Sequence, residues 1–158
     1  MKHRILFVCL GNICRSPAAE GVFRKMVHEE GLDRLFEIDS CGLGDWHTGQ
    51  LPDRRMRACG ARHGYRFDHI ARVFDSQDFE RFDHILAMDS DNYKGLWRQT
   101  WNDEQKQKLG MLADYMSEHP GRRVIPDPYY GDDDDFELAL ELIEDACRGL
   151  LQNIMRGA

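Results

Sequence analysis

The segment Ile5-Leu6-Phe7-Val8-Cys9-Leu10-Gly11-Asn12-Ile13-Cys14-Arg15-Ser16-Pro17 combines the signals of a strand, a turn and a helix start. The β-prone apolar run at its beginning predicts a strand that is buried on both faces. Leu10, Gly11 and Asn12 are typical of a turn, and Ser16 before Pro17 is typical of a helix N-cap followed by proline at the first helical position. We therefore expect a strand, a tight loop and a helix in direct succession.

Strand-like and helix-like segments alternate along the rest of the chain. Further strands are predicted over 36–40 and 83–88, and the stretch 109–113 is either part of a short fourth strand or a turn before it. Helices are predicted over 18–30, over 53–63, after Asp89 or Ser90, and over the helically spaced apolar residues from Phe136 to Ile154. Such alternation predicts a parallel sheet with helices on both faces. The acidic run 132–135 is expected to be a solvated turn that leads into the last helix.

Length and composition argue against several classes of protein. A chain of 158 residues suits one domain over 1–158, and its 28 acidic against 21 basic residues argue against a general nucleic-acid binder. Mean hydropathy is −0.60, and no apolar run approaches the ~20 residues of a membrane span. The apolar run 5–10 is too short for the ~7–15 residues of a signal-peptide core. Five irregularly spaced cysteines do not form a secreted disulfide framework, so we expect a cytoplasmic protein with neither nucleic acid nor membrane as partner.

The loop between the first strand and helix is suited to binding an anion. Successive backbone N–H groups and a helix N-terminus attract a phosphate, Gly11 permits unusual backbone angles, and Arg15 adds a bidentate donor. The loop lacks both the GxxxxGK[ST] and the GxGxxG patterns, so it predicts neither a nucleotide P-loop nor a dinucleotide site.

Cys9 stands where the predicted strand ends, at the base of this loop. Donors that stabilise a bound anion also stabilise a thiolate, and a thiolate beneath a phosphate is a nucleophile directed at phosphorus. Cys9 and Cys14 as small buried apolar residues are the simpler alternative. A zinc site is less favoured here, because the two cysteines lack a second ligand pair of matching spacing.

The loop from Cys9 to Pro17 resembles the signature of the low-molecular-weight protein tyrosine phosphatases. That family also has an Asp-Pro-Tyr-Tyr-like segment near its C-terminus, where this chain has Asp127-Pro128-Tyr129-Tyr130. The resemblance covers nearly the whole chain. It implies a flavodoxin-like fold, with a four-stranded parallel sheet in a three-layer sandwich. It also implies hydrolysis of phosphotyrosine in proteins, with inorganic phosphate as product and no metal or other cofactor. A tyrosine kinase is one candidate substrate.

The resemblance assigns three catalytic residues. Cys9 attacks phosphorus to form a phosphocysteine, Arg15 binds the phosphoryl group, and Asp127 serves as general acid and then as general base. The phosphate-binding groups are the backbone N–H groups of the loop together with the Arg15 side chain: Leu10, Gly11, Asn12, Ile13, Cys14 and Arg15.

Other residues are assigned supporting roles by the same resemblance. Ser40, at the end of the second strand, and His69 belong to a hydrogen-bond network under the loop. Asn12 holds the shape of the loop by side-chain bonds, and Ser16 donates to the Cys9 thiolate as well as capping the helix. Asn12 as a plain turn residue and His69 as a structural histidine explain the sequence as well. Trp46, Tyr129 and Tyr130 are candidates for the walls of a phenyl-ring slot, with Leu10 and Ile13 from the loop. Trp46 as a loop anchor and the tyrosines as packing residues are the alternatives.

Related activities are distinguished by single residues. Protein-arginine phosphatases of the same fold carry Thr at the position of Ile13, so Ile13 favours phosphotyrosine. Arsenate reductases need further cysteines, and none stands between Cys59 and Cys147. A non-catalytic anion-binding module and a flavin-binding protein are the hypotheses from other classes. The resemblance also favours a disulfide between Cys14 and oxidised Cys9, with packing beneath the loop as the alternative for Cys14.

Overall fold

A parallel four-stranded sheet forms the centre of the computed structural model, which describes residues 2–157. Its strands are β1 (His3–Cys9), β2 (Phe36–Gly42), β3 (His84–Ala87) and β4 (Leu109–Met111), in the order β2-β1-β3-β4. The predicted parallel sheet is therefore confirmed, and the uncertain stretch 109–113 does contain the fourth strand. Cys9 pairs with Gly42 at the carboxyl end of β1. In open parallel sheets this is the edge at which ligands bind.

Helices cover both faces of the sheet, as predicted. They are α1 (Arg15–Glu29), α2 (Arg54–Arg62), α3 (Asp78–Arg81), α4 (Ser90–Trp97), α5 (Asp103–Gln107) and α6 (Asp133–Arg156). Alternate side chains of β1 enter two separate cores: Phe7 packs in the core that contains Phe23 of α1, whereas Leu6 packs in the core that contains Phe79 of α3. The result is the expected three-layer, flavodoxin-like arrangement.

The longest helix, α6, begins at the acidic run. The Asp132 side chain accepts from the N–H of Asp135, and the Asp135 side chain accepts from the N–H of Asp132, which forms a capping box. Residues 133–135 therefore form the first turn of the helix, and the predicted acidic turn before it is wrong at these three positions. The predicted placing of negative charge at the positive end of the helix dipole is confirmed. Neither α6 nor any other helix within residues 2–157 has the length and apolar character needed to cross a membrane.

The structure corrects two local predictions beside the loop. Helix α1 begins at Arg15, and Cys14 occupies the N-cap position without a side-chain cap, so the predicted capping role of Ser16 is wrong. Ser16 is already the second residue of the helix, and its hydroxyl contacts the Cys9 sulfur and the carbonyl of Cys41 beneath the loop. Strand β2 continues to Gly42, so Ser40 lies inside the strand and not at its end.

Candidate active site

The loop after β1 turns its carbonyl groups outward. The carbonyls of Cys9 and Leu10 accept from the N–H groups of Leu43 and Gly44, and the carbonyl of Ile13 accepts from Asp53 N–H. In a planar trans peptide the following N–H points the opposite way. The N–H groups of residues 10, 11 and 14 therefore face the interior of the loop, which gives the concave set of donors that binds an anion.

Cys9 lies at the floor of this concave surface. Its side chain is buried, and its sulfur is 3.0 Å from the Ser16 hydroxyl oxygen. The backbone N–H of Asn12 donates to the same sulfur across 3.3 Å. Two groups that can donate a hydrogen bond thus meet the sulfur, which is the environment that a thiolate needs in a buried position.

Asn12 holds the loop in shape. It has a left-handed backbone, with φ of 58°, which asparagine tolerates better than most residues. Its side-chain amide donates to the hydroxyls of Ser16, at 2.7 Å, and Ser40, at 3.1 Å. Its side-chain oxygen lies 3.0 Å from Nε2 of His69 and accepts from the N–H of Arg72. The structure therefore brings together, through Asn12, the supporting residues that the sequence analysis singles out: Ser16, Ser40 and His69.

Glu20 extends that network and was missed by the sequence analysis. Its carboxylate accepts from the Ser40 hydroxyl at 2.8 Å and lies 3.0 Å from Nδ1 of His69. Burial alone would raise the pKa of Glu20, but the hydrogen bonds from His69, Ser40 and Arg24 outweigh it and lower the pKa below 4.5. Glu20 lies on α1 away from any motif, so its contact with β2 could be found only from the packing.

The end of β2 has to approach the loop closely. A Cβ atom at Gly42 would lie 3.0 Å from the backbone nitrogen of Asn12 and from the carbonyl oxygen of Leu10. Both of these are backbone atoms that cannot move without opening the loop. Glycine at position 42 therefore lets β2 approach the loop without displacing these backbone atoms.

Arg15 is buried at the other side of the pocket and has three oxygen partners. Its guanidinium donates to Asp89 at 2.7 Å and to the carbonyl of Ile125 at 3.0 Å, and it lies 3.6 Å from the carboxylate of Asp127. Burial alone would lower the pKa of Arg15, but the surrounding anionic groups raise it above its ordinary value. The side chain is thus a fixed positive charge beside Cys9.

Asp89 is a second site residue that the sequence analysis missed in this role. It was considered only as a helix cap, and it does cap α4 by accepting from Asn92 N–H at 2.8 Å. Its other oxygen binds Arg15. One signal was available: Asp89 follows the third predicted strand, so it had to lie at the same sheet edge as Cys9.

Asp127 stands at the rim of the pocket, in the segment between Pro126 and Pro128. Its Oδ1 accepts from the N–H of Tyr129 at 3.1 Å, and its Oδ2 faces Arg15. The carboxyl group is 38% exposed, so it is accessible to water and to a bound substrate. The structure places Cys9, Arg15 and Asp127 around one cavity.

That cavity has a volume of about 420 Å³ and an aromatic rim. Trp46, Tyr129 and Tyr130 all line it, and the rings of the two tyrosines meet edge to face at 4.9 Å. Tyr130 is 94% exposed, so it is not a packing residue, whereas Trp46 is 65% exposed and its ring lies against Gly44. Arg55 fixes Tyr129 by donating to its carbonyl oxygen at 2.9 Å. His47 also lines the cavity, and no pattern in the sequence indicated it.

Cys14 is a buried free thiol beside the pocket. Burial, together with the negative charges of Asp53 and Asp127, raises the pKa of Cys14 well above its ordinary value. The thiol form of Cys14 is therefore favoured over the thiolate. A disulfide with oxidised Cys9 stays a prediction.

Metal-ligating side chains occur beneath the loop, where Glu20, Asp39 and His69 come together. Each of them is already engaged: Asp39 pairs with Arg72 at 3.0 Å, and His69 contacts Glu20 and Asn12. Both ring nitrogens of His69 are thus engaged, Nδ1 with Glu20 and Nε2 with Asn12, so this histidine has no free nitrogen for a cation.

Comparison with known proteins gives a consistent result. The family model described as low molecular weight phosphotyrosine protein phosphatase matches residues 4–158. A putative low molecular weight protein-tyrosine-phosphatase of Synechocystis is 45% identical over 151 residues, which are 96% of each chain. The human low molecular weight phosphotyrosine protein phosphatase is 40% identical, over 94% of this chain and 93% of the human one. A crystal structure of a protein tyrosine phosphatase from Entamoeba histolytica, with Hepes in its active site, superposes with a TM-score of 0.93 at 40% identity and covers 99% of each chain.

Proposed function

The chain belongs to the low molecular weight phosphotyrosine protein phosphatase family, and from this membership we propose that it hydrolyses phosphotyrosine in proteins through a phosphocysteine formed on Cys9. One observation supports this mechanism above the others: the Cys9 sulfur lies at the floor of a donor-lined loop, in the same cavity as Arg15 and Asp127. The three groups supply a nucleophile, a phosphate-binding cation and an acid.

In the first step the phosphoryl group binds in the loop. Its non-bridging oxygens accept from N–H groups of the loop, including the inward ones of residues 10, 11 and 14, and from the Arg15 side chain. These donors also disperse the charge of the transition state. The Cys9 thiolate attacks phosphorus, so a sulfur–phosphorus bond forms while the bond from phosphorus to the tyrosyl oxygen breaks. The Asp127 carboxylic acid gives its proton to the departing oxygen, and tyrosine leaves as the neutral phenol.

In the second step water replaces the thiolate. The Asp127 carboxylate, formed in the first step, accepts a proton from water as the water oxygen attacks phosphorus. The sulfur–phosphorus bond breaks and inorganic phosphate leaves. The Cys9 sulfur departs as a thiolate into hydrogen bonds from Ser16 and from the N–H of Asn12. The two steps return every group to its starting state.

This mechanism requires no metal ion and no other cofactor. The charge that a divalent cation would neutralise is met by the fixed guanidinium of Arg15 and by the loop N–H groups. Asp89 holds the guanidinium in position by a bond of 2.7 Å before substrate arrives. We therefore propose that chelation of metals leaves the activity intact.

The shape of the cavity supports phosphotyrosine as the substrate. A phosphorylated phenol reaches from the loop to the aromatic rim, where Trp46 and Tyr130 present exposed rings that can stack on it. Ile13 adds an apolar wall to the cavity. The protein-arginine phosphatases have a threonine at this position, so the apolar side chain favours phosphotyrosine over phosphoarginine. The proposed partners are proteins that carry phosphotyrosine, a tyrosine kinase among them. The proposed compartment is the cytoplasm, in keeping with the five free cysteines.

The test is hydrolysis of p-nitrophenyl phosphate and of a phosphotyrosyl peptide in the presence of EDTA. Wild type should turn over both, and Cys9→Ser should turn over neither while it still binds inorganic phosphate. Cys147→Ser is the matched control, because Cys147 is a buried thiol outside the cavity. Binding without turnover by wild type would indicate a phosphotyrosine-binding module. Preference for a phosphoarginyl peptide would overturn the proposed substrate.

A further inference from the structure

A cysteine, a histidine and a glutamate meet outside the active cavity, where α2 packs against α6. Cys59 and His63 stand four residues apart at the end of α2, and Glu137 lies in the second turn of α6. Positions i and i+4 share one face of a helix. One ligand atom from each side chain, a sulfur, a ring nitrogen and a carboxylate oxygen, lies within 4.8 Å of the other two.

The three groups differ in burial in a way that suits a ligand site at the surface. The Cys59 side chain is fully buried, whereas the side chains of His63 and Glu137 are 41% and 37% exposed. Nε2 of His63 and Oε2 of Glu137 are 2.6 Å apart. The second oxygen of Glu137, Oε1, accepts two bonds from the Arg62 guanidinium, at 3.0 and 2.9 Å. Arg62 thus occupies Oε1 and leaves Oε2 to face His63.

We propose that Cys59, His63 and Glu137 bind one zinc ion, which links α2 to α6. Thiolate sulfur, imidazole nitrogen and carboxylate oxygen are the three ligand types that zinc takes in proteins, and the thiolate disfavours magnesium and calcium. Solvent has access to the exposed side of the group, so water supplies the fourth ligand. Arg62 acts as an outer contact that orients the ligating carboxylate.

The ligand atoms lie within 4.8 Å of one another, so they have to shift by about 1 Å to hold the ion. In a tetrahedral site with the usual bond lengths, ligand atoms lie about 3.3–3.6 Å apart. The His63–Glu137 pair has to open by less than about 1 Å to reach this range. Zinc binding releases to water the proton of the His63–Glu137 hydrogen bond and the proton of the Cys59 thiol. His63 is the C-cap residue of α2 and is well exposed, so its ring can move without disturbing the helix. The sulfur approaches from the buried side.

The expected consequence is stabilisation of the native fold. A ligand bound to the native state alone raises the melting temperature, by about 5–10 °C here when free zinc is 100-fold above its Kd. The opposite end of α2 contacts the phosphate-binding loop, since Asp53 N–H donates to the carbonyl of Ile13. The ion takes no part in the chemistry proposed for Cys9, and its presence or absence does not depend on that chemistry.

Cobalt binding to a Cys9→Ser, Cys14→Ser double variant tests the proposal, with zinc as competitor. Removing the two active-site thiols ensures that any charge-transfer band from sulfur to cobalt arises elsewhere. We expect one equivalent of cobalt, a near-ultraviolet charge-transfer band, and loss of the band when zinc is added. Cys59→Ala should abolish the band, and His63→Ala and Glu137→Gln should weaken cobalt binding at least about tenfold.

His28→Ala is the matched control. His28 is an exposed histidine 3.1 Å from a carboxylate oxygen of Asp33, so it offers a similar pair without a cysteine. The His28→Ala change, made in the Cys9→Ser, Cys14→Ser background variant, should leave the cobalt affinity of that variant unchanged. Absence of the band in the background variant, or a band that survives Cys59→Ala, would overturn the proposal. Because Cys59 is buried, the surface variants His63→Ala and Glu137→Gln decide the matter if Cys59→Ala fails to fold: unchanged cobalt affinity in both would also overturn it.

Discussion

The hydroxyl oxygen of Ser16 lies 3.0 Å from the sulfur of Cys9, at the base of the loop that follows β1. Asn12 donates to this hydroxyl, so the Ser16 proton is available for an acceptor. Two acceptors are within reach: the Cys9 sulfur and, at 3.3 Å, the carbonyl oxygen of Cys41. A thiolate is the stronger acceptor because charge-assisted hydrogen bonds are the stronger ones. Ser16 therefore supports Cys9 most when the sulfur is negatively charged.

Ser16→Ala should slow breakdown of the phosphocysteine, because the departing thiolate loses one hydrogen bond. A hydrogen bond to a charged group contributes about 1.5–3 kcal/mol, so kcat should fall by about 10- to 100-fold. Pre-steady-state kinetics with p-nitrophenyl phosphate measure the two steps separately. Circular dichroism controls for folding. An unchanged kcat in a folded variant would show that Ser16 does not serve the thiolate.

Asp127→Asn should lose activity in proportion to the basicity of the leaving group. A poor leaving group needs the proton that Asp127 gives, and general acid catalysis contributes about 10²–10⁴-fold. A series of aryl phosphates with leaving groups of different acidity, measured by single-turnover release of the phenol, tests this. Asp89→Asn is a useful comparison, since it alters the other carboxylate on Arg15. The same loss for every leaving group would remove Asp127 from the role of acid.

Asp89 has two functions that a pair of variants can separate. Asp89→Ser keeps a side chain that can cap α4 but loses the carboxylate that binds Arg15, whereas Asp89→Ala loses both. Both variants should bind phosphate and substrate more weakly, by about tenfold or more, because Arg15 loses a charge-assisted bond. Only Asp89→Ala should also lose about 1 kcal/mol from the helix cap. Equal phosphate affinity in wild type and Asp89→Ser would contradict the positioning of Arg15 by Asp89.

The sequence was sufficient for the parts of the fold that rest on local signals. The apolar run before Cys9 and the helical spacing after Asp132 predicted β1 and α6, because each pattern reflects burial of that element. The short helices α3 and α5 were not predicted, since four or five residues carry no periodicity. The start of α1 was misplaced because Ser16 carries the local signal of a cap but is used by tertiary contacts.

In the candidate site, too, the residues in local motifs could be predicted and those that act through tertiary contacts could not. Cys9, Arg15 and Asp127 belong to contiguous motifs, so the sequence could single them out. Glu20 and Asp89 act through contacts between separate elements: Glu20 reaches β2 from α1, and Asp89 reaches Arg15 across 74 positions of the chain. Contacts of this kind depend on how the sheet and helices pack, which local patterns do not encode.

The stability of the fold should depend on pH through His119 and Asp145. The hydrogen bond to Asp145 raises the pKa of His119 above 6.5. Burial alone would raise the pKa of Asp145, but bonds from His119 and from the N–H groups of Ser117 and Glu118 lower it below 3.8. The pair therefore contributes its full stabilisation of the native state between pH 3.8 and pH 6.5, the ordinary pKa values of aspartate and histidine. The stabilisation is lost when the pH rises through the raised pKa of His119. It is also lost when the pH falls through the lowered pKa of Asp145.

Urea unfolding of wild type and His119→Gln across pH measures this contribution. The free energy of unfolding of wild type should exceed that of the variant most at pH 4–6. The difference should narrow at higher pH as His119 loses its proton. His28→Gln serves as the control, because its exposed pair with Asp33 contributes little. A gap between wild type and His119→Gln that is constant across pH would contradict the account.

The most direct test of the central claim is the mass of the enzyme during turnover. Asp127→Asn is mixed with p-nitrophenyl phosphate, whose good leaving group departs without a proton while hydrolysis of the intermediate lacks its general base. Denaturation within the first turnover, followed by digestion and mass spectrometry, locates any phosphoryl group. The account predicts one phosphoryl group per enzyme on Cys9, and none on a Cys9→Ser variant treated identically. A phosphoryl group on another residue, or an enzyme that turns over with no modified Cys9 at any time, would contradict it.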